Sequence, residues 1–146
     1  METPATTAAG TAPAGKGPAH ALVLDDDKKL AAQLEALLED ANFKVTVGAK
    51  AWDGLLLMGL LDAKPAQPPI VPDLLIVDAL LPDRKGFEVL GRVRQAEHTQ
   101  RVPIILMAGP EAKVPEFALF DANACLKKPF DADAFLGAVI KVLGLE

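Results

Sequence analysis

Three adjacent carboxylates, Asp25, Asp26 and Asp27, close the apolar run ALVL at 21–24. Like charges this near one another repel and raise each other's pKa, so the arrangement calls for something positive among them. A second apolar run, LLIVD at 74–78, ends in Asp78, and a third, ACLKK at 124–128, ends in Lys128 before Pro129. Carboxylate clusters suit a hard divalent cation. Mg2+ prefers oxygen ligands, keeps several waters, and commonly takes one or two carboxylates plus a substrate phosphate. A lysine beside it can pair with an acid when the site is empty and with a phosphoryl oxygen when it is filled. A metal, a nucleophilic carboxylate and a counter-charge are the equipment for an aspartyl-phosphate.

These residues lie far apart in the chain, so a fold must bring them together. Apolar strands alternate with helical stretches from Ala21 onward. The predicted strands are 21–24, 43–47, 74–78, 103–107 and 124–128. Helix 1 spans 28–41, with Leu30, Leu34, Leu37 and Leu38 on one face, and helix 2 spans 52–61. Phe87, Val89, Leu90 and Val93 mark helix 3. A short helix 4 is expected at 114–121, flanked by Pro110 and Pro115. Asp131 can cap helix 5, which buries Phe135, Leu136, Val139, Ile140 and Leu143. The proline-laden stretch 64–72 can be neither helix nor central strand.

Five strands alternating with five helices, most strands apolar throughout, predict an α/β fold with helices on both faces of a parallel sheet. Right-handed crossovers make it a doubly wound (βα)5 sandwich of strand order 2-1-3-4-5. Ligands in such sheets bind at the carboxyl ends of the strands, where the order reverses. Here that point lies between strands 1 and 3, at Asp25–Asp27 and Asp78.

Composition narrows the function classes. The 146 residues suffice for one domain with a real core, and 51% are hydrophobic. A net charge of -5 argues against direct nucleic-acid binding, which needs a basic face. One cysteine precludes an internal disulfide and fits a reducing compartment. No apolar run approaches the ~20 residues of a membrane span, and the N-terminus lacks a signal-peptide pattern. The expectation is a cytoplasmic protein with no membrane insertion. Residues 1–19, rich in Ala, Thr, Pro and Gly, are read as a disordered tail, with one domain at 20–146.

From about residue 21 to the end, the sequence resembles the receiver domain of two-component response regulators, a flavodoxin-like fold. The stretches carrying the resemblance are LVLDDD, PDLLIVDALLPDRKGFEVL, VPIILM and KKPF, in order and at family-like spacing. The resemblance implies that Asp25 and Asp26 bind Mg2+ and that Asp78 accepts the phosphoryl group. The backbone carbonyl of Leu80 would complete the metal site, and Lys128 would contact the phosphoryl group across a cis Lys128-Pro129 bond. Asp27 is expected to cap helix 1, and Gly86 to open helix 3. The implied donor is a histidine kinase or phosphotransfer protein. The implied output is protein contact on the helix 4–strand 5–helix 5 face, with no enzymatic activity beyond the domain's own phosphorylation and dephosphorylation.

Two positions depart from the family. A Thr or Ser usually ends strand 4, where this chain has Ala108, and Tyr or Phe usually stands where it has Cys125. A hydrogen bond to a charged group contributes roughly 1.5–3 kcal/mol, comparable to a whole allosteric coupling of about 1–3 kcal/mol. Losing the hydroxyl therefore removes most of the switch while leaving the chemistry possible. The alternative is a pseudo-receiver docking module that binds partners independently of phosphorylation. A flavodoxin-like electron carrier would need a hydroxyl- and glycine-rich loop where the three acids stand. A haloacid-dehalogenase-type phosphatase expects Thr or Val where Lys29 stands. The chain ends just after helix 5, consistent with a stand-alone receiver or a piece of a longer protein.

The remaining conspicuous residues are read plainly. His20 is assigned to the tail, His98 to the surface, and Cys125 and Trp52 to the core. Arg84 and Lys85 are solvated loop charges.

Overall fold

A computed structural model describes residues 18–61 and 68–145. Elements follow in the order β1 His20–Leu24, α1 Lys28–Asp40, β2 Lys44–Gly48, α2 Ala51–Leu57, β3 Leu74–Asp78, α3 Gly86–Gln95, β4 Ile104–Ala108, α4 Glu116–Asp121, β5 Ala124–Lys127 and α5 Ala132–Leu143. The five strands form one sheet of order β2-β1-β3-β4-β5, and every pairing is parallel. The predicted architecture and strand order therefore hold.

Alternation within the strands builds two cores. Leu22, Leu24, Leu75, Val77, Ile104 and Leu106 pack with α2 and α3 on one face. Ala21, Val23, Leu74, Ile76, Ile105 and Met107 pack with α1 and α5 on the other. β3 and β4 are buried along their whole length. Burying each large apolar side chain contributes roughly 1.5–3 kcal/mol, which fixes the sheet as the rigid platform for its loops.

Local signals set the element ends. Asp27 caps α1 by accepting from Leu30 N (3.1 Å), and Asp131 caps α5 by accepting from Ala134 N (2.8 Å). α5 stops at Gly144, whose φ of 68° is left-handed. α2 ends at Leu57 rather than at 61. Gly59 turns left-handed (φ 70°), and Leu60 N donates back to Leu55 O (2.8 Å), which closes the helix. α4 starts late, after Pro115, and has six residues.

Several expectations need correction. His20 is no tail residue. It opens β1, its N–H donates to Asp73 (2.7 Å), and its ring Nε2 lies 2.7 Å from Thr46 Oγ1. Burial and the Lys44 charge lower its pKa, with Asp73 pulling the other way. Ala19 is buried in the α1/α5 core, so the domain begins before the sequence pattern changes. Most of the expected tail, together with 62–67, lies outside the described residues. Trp52 is exposed on the first turn of α2, while Leu55 and Met58 supply that helix's core contacts. Cys125 is exposed rather than a core filler. It pairs with Leu106 at the sheet edge, and the six-residue α4 packs chiefly on α3. Ile140 is also exposed, and Phe87 is only half-buried. His98 is a surface residue as expected, with Nε2 2.7 Å from Met58 O.

Candidate functional site

The strand order makes β1 and β3 neighbours, so the acids that end them meet. Leu24 pairs with Val77, which sets Asp25 beside Asp78. Asp25, Asp26 and Asp78 each offer a carboxylate oxygen within 4.8 Å of the others. Asp25 and Asp78 are buried, whereas Asp26 is exposed. Asp27 faces away to cap α1, and its N–H donates to Asp25 Oδ1 (3.0 Å).

Lys128 arrives from the end of β5. Its Nζ lies 3.3 Å from Asp25 Oδ2 and 3.4 Å from Asp78 Oδ1. The Lys128-Pro129 bond is cis, as expected. Burial, reinforced by the Asp25 charge, pushes Asp78 up to about 6 against the pull of Lys128. Burial alone would lower Lys128, but the two carboxylates outweigh it and hold the ammonium above its ordinary value. Two acids thus share one cation at this rim. A further positive charge with oxygen affinity fits the three-oxygen cluster, so Asp25, Asp26 and Asp78 could hold a divalent ion.

The loop after β3 is tightly built. Ala79 N donates to Met107 O (2.7 Å), and Gly86 N donates to Ala79 O (2.7 Å). Leu80 and Lys85 form an isolated antiparallel bridge. Leu80 stands two residues past Asp78, with its side chain exposed. A side chain at Gly86 would collide with the Asp78 carbonyl, which explains the glycine at the first position of α3. Ala108 ends β4 and is buried, and its carbonyl accepts from Lys128 N (2.8 Å).

Residues 21–140 match the family model described as the response regulator receiver domain. The chain belongs to the receiver domain family of response regulators. It is 33% identical over 122 residues to the transcriptional regulatory protein DltR of Streptococcus agalactiae serotype III strain NEM316, covering 81% of this chain and 49% of that one. The receiver therefore spans about half the length of the curated relatives it matches. A proposed response regulator from Chloroflexus aurantiacus J-10-fl superposes with a TM-score of 0.72 at 30% identity, over 87% of this chain and 98% of that one. The receiver domain of a sensor histidine kinase from Pseudomonas aeruginosa PAO1, with magnesium in its active-site cleft, superposes at 0.69 with 21% identity, over 87% and 98%.

Sequence reasoning missed two polar residues that shape this receiver. Arg94 on α3 donates to the carbonyls of Asp121, Gln100 and Val102 and to Asn123 Oδ1, fastening the end of α4 and the approach to β4. Asp83 accepts from Ala51 N and Trp52 N, 2.9 Å each, across the molecule's top edge. Neither has a local sequence signal, because both Asp83 partners and two of the four Arg94 partners lie 27 to 32 residues away, and most of the partners are backbone groups. No helix among the described residues is long and apolar enough to cross a membrane.

Proposed function

We propose that this receiver takes a phosphoryl group onto Asp78 from a histidine kinase or phosphotransfer protein and signals by protein contact. The observation that carries this reading is the juxtaposition of Asp25, Asp26, Asp78 and Lys128 at one sheet rim. Asp25, Asp26, Asp78 and the Leu80 carbonyl would hold Mg2+. When bound, Mg2+ offsets the carboxylate charge and the charge on the phosphoryl oxygens.

The chain's own groups supply the rest. A carboxylate oxygen of Asp78 forms the new P–O bond as the P–N bond to the donor imidazole breaks, and the imidazole leaves with that electron pair. Lys128 pairs with a phosphoryl oxygen in place of Asp25. The buried wall around Asp78 keeps the nucleophile fixed at the end of β3. Such a reading gives a signalling module acting in the cytoplasm, with no direct contact to nucleic acid from this domain.

Exposed Leu119 and Phe120 on α4 and exposed Cys125 on β5 favour the α4–β5–α5 face as the output surface. Ala108 and Cys125 in place of a hydroxyl and an aromatic favour a second reading, a docking module indifferent to phosphorylation. Incubation with acetyl phosphate and MgCl2, followed by intact mass measurement, separates the two. The expected result is a Mg2+-dependent gain of one phosphoryl group, lost in Asp78→Asn. Labelling that survives the substitution overturns the assignment of Asp78. Absence of labelling, with no amide change near Asp78 and Ala108 on adding Mg2+ and a phosphoryl analogue, favours the docking module.

A further inference from the structure

Residues 79–86 fold back on themselves after the phosphoacceptor candidate. Gly86 N donates to Ala79 O (2.7 Å), Leu81 N donates to Arg84 O (3.2 Å), and Leu80 bridges Lys85. The Leu80 carbonyl and the Asp83 side chain therefore belong to one small hydrogen-bonded body. Asp83 ties that body to a different element. Its Oδ1 accepts from Ala51 N and its Oδ2 from Trp52 N, both at 2.9 Å.

The N-cap residue of α2 is Lys50, whose side chain has no acceptor atom. The first amides of a helix need acceptors, and here a carboxylate 31 and 32 residues away supplies two. What burial Asp83 has opposes its ionisation, but the Trp52 and Ala51 N–H groups outweigh that and hold it below the ordinary carboxylate range. A cap placed locally would serve the helix equally well. This one instead joins α2 to the loop carrying a candidate metal ligand.

We infer that Asp83 is a positioning residue for the Mg2+ site: by anchoring the 79–86 loop to α2 it fixes the Leu80 carbonyl, and it makes the first turn of α2, with exposed Trp52, respond to occupancy of the acidic rim. The inference rests on the reading of Asp25, Asp26, Asp78 and Leu80 as the cation site. Coupling is reciprocal: if occupancy favours the anchored first turn of α2, anchoring that turn favours occupancy by the same factor.

The test titrates MgCl2 into 15N-labelled full chain while following amide shifts. In wild type, the amides of Asp25, Asp26 and Asp78 move, and those of Ala51 and Trp52 move with them. In Asp83→Ala the acidic-site amides still titrate, but affinity falls about five- to tenfold, the low end of such couplings, and Ala51 and Trp52 no longer respond. The double variant Lys50→Ser with Asp83→Ala restores a local acceptor to α2 without the loop tether. Affinity that stays low in the double variant supports positioning. Affinity that recovers there makes Asp83 a helix cap only and overturns the inference. Wild-type affinity in Asp83→Ala overturns it as well. A wild-type chain whose Asp25, Asp26 and Asp78 amides ignore Mg2+ overturns the cation reading itself, and this inference with it.

Discussion

The Lys128 ammonium stands 3.3 Å from Asp25 Oδ2, across 103 residues of chain, and reaches Asp78 Oδ1 from the same atom at 3.4 Å. One cation thus balances two acids that the sheet forces together. Removing one partner of a fully buried ion pair costs about 3–5 kcal/mol. Lys128 retains some exposure, so water screens part of that cost, and Lys128→Met is expected to lose about 1–3 kcal/mol. Asp25 and Asp78 then have no counter-charge, so MgCl2 should raise the melting temperature of the variant more than that of wild type. Thermal melts with and without MgCl2 check both points. Equal Mg2+ responses would mean that the lysine and the ion do not share a role.

Asp78 gives a pH signature in metal-free buffer. Its folded pKa, raised by burial and by Asp25 to about 6, exceeds the ordinary carboxylate value of 3.8. The folded state therefore binds more protons between those values than the unfolded state. Stability contributed by protonated Asp78 is present below pH 3.8 and is lost as pH rises through about 6. Asp78→Asn removes the charge, and after allowance for solvent screening it should stabilise the domain at pH 7 by about 1–2 kcal/mol. Urea melts at pH 5 and pH 7.5, with chelator present, measure it. A variant less stable than wild type at pH 7.5 would contradict this account.

Much of the fold could be read from the chain because its signals are local. Continuous apolar runs mark strands buried on both faces, and Asp27 and Asp131 sit at the helix starts they cap. The acidic rim was legible for a different reason: in a doubly wound sheet the strand order alone decides which strand ends meet. What stayed hidden depends on distant partners. His20 became a strand residue through Asp73 and Thr46, contacts 53 and 26 residues away. Trp52 is hydrophobic by type, yet its N–H rather than its ring is what the fold engages. Cys125 is a small apolar residue by type, but it shares its strand face with exposed Lys127, and an α4 of six residues leaves that side of the sheet edge uncovered.

Gly86 tests how tightly helix α3 is held against the site. An alanine β-carbon there would overlap the Asp78 carbonyl oxygen and crowd Ala79 Cα, both backbone atoms that cannot swing aside. Gly86→Ala is expected to cost about 2–3 kcal/mol, as overpacking does. It should also lower phosphoryl labelling, since the displaced backbone is that of the acceptor. Gly91→Ala is the control, because an added β-carbon meets nothing within 4 Å. It should be neutral or slightly stabilising, since alanine favours helix. Equal behaviour of the two variants would show that the β3–α3 junction yields easily.

The output face gives the last test. Phe120 is 84% exposed and Leu119 is 45% exposed, so their side chains contribute little to folding. Phe120→Ala should change stability by no more than about 0.5 kcal/mol, yet weaken a partner on the α4–β5–α5 face about tenfold or more, as truncation of an aromatic anchor does. The link from the acids to that face is another matter. Ala108 ends β4 without a hydroxyl, and its carbonyl is already engaged by Lys128 N. Little in its side chain can follow a phosphoryl group on Asp78. Partner affinity in wild type should therefore differ only severalfold with and without a phosphoryl analogue, whereas Ala108→Thr should widen the difference by restoring a donor. Surface plasmon resonance on wild type, Phe120→Ala and Ala108→Thr, each with and without Mg2+ and the analogue, reads all three. A wild-type difference of about a hundredfold, near the top of ordinary couplings, would mean that the signal leaves Asp78 by a route that bypasses Ala108, and the loop from Leu80 to Asp83 would be the first place to look.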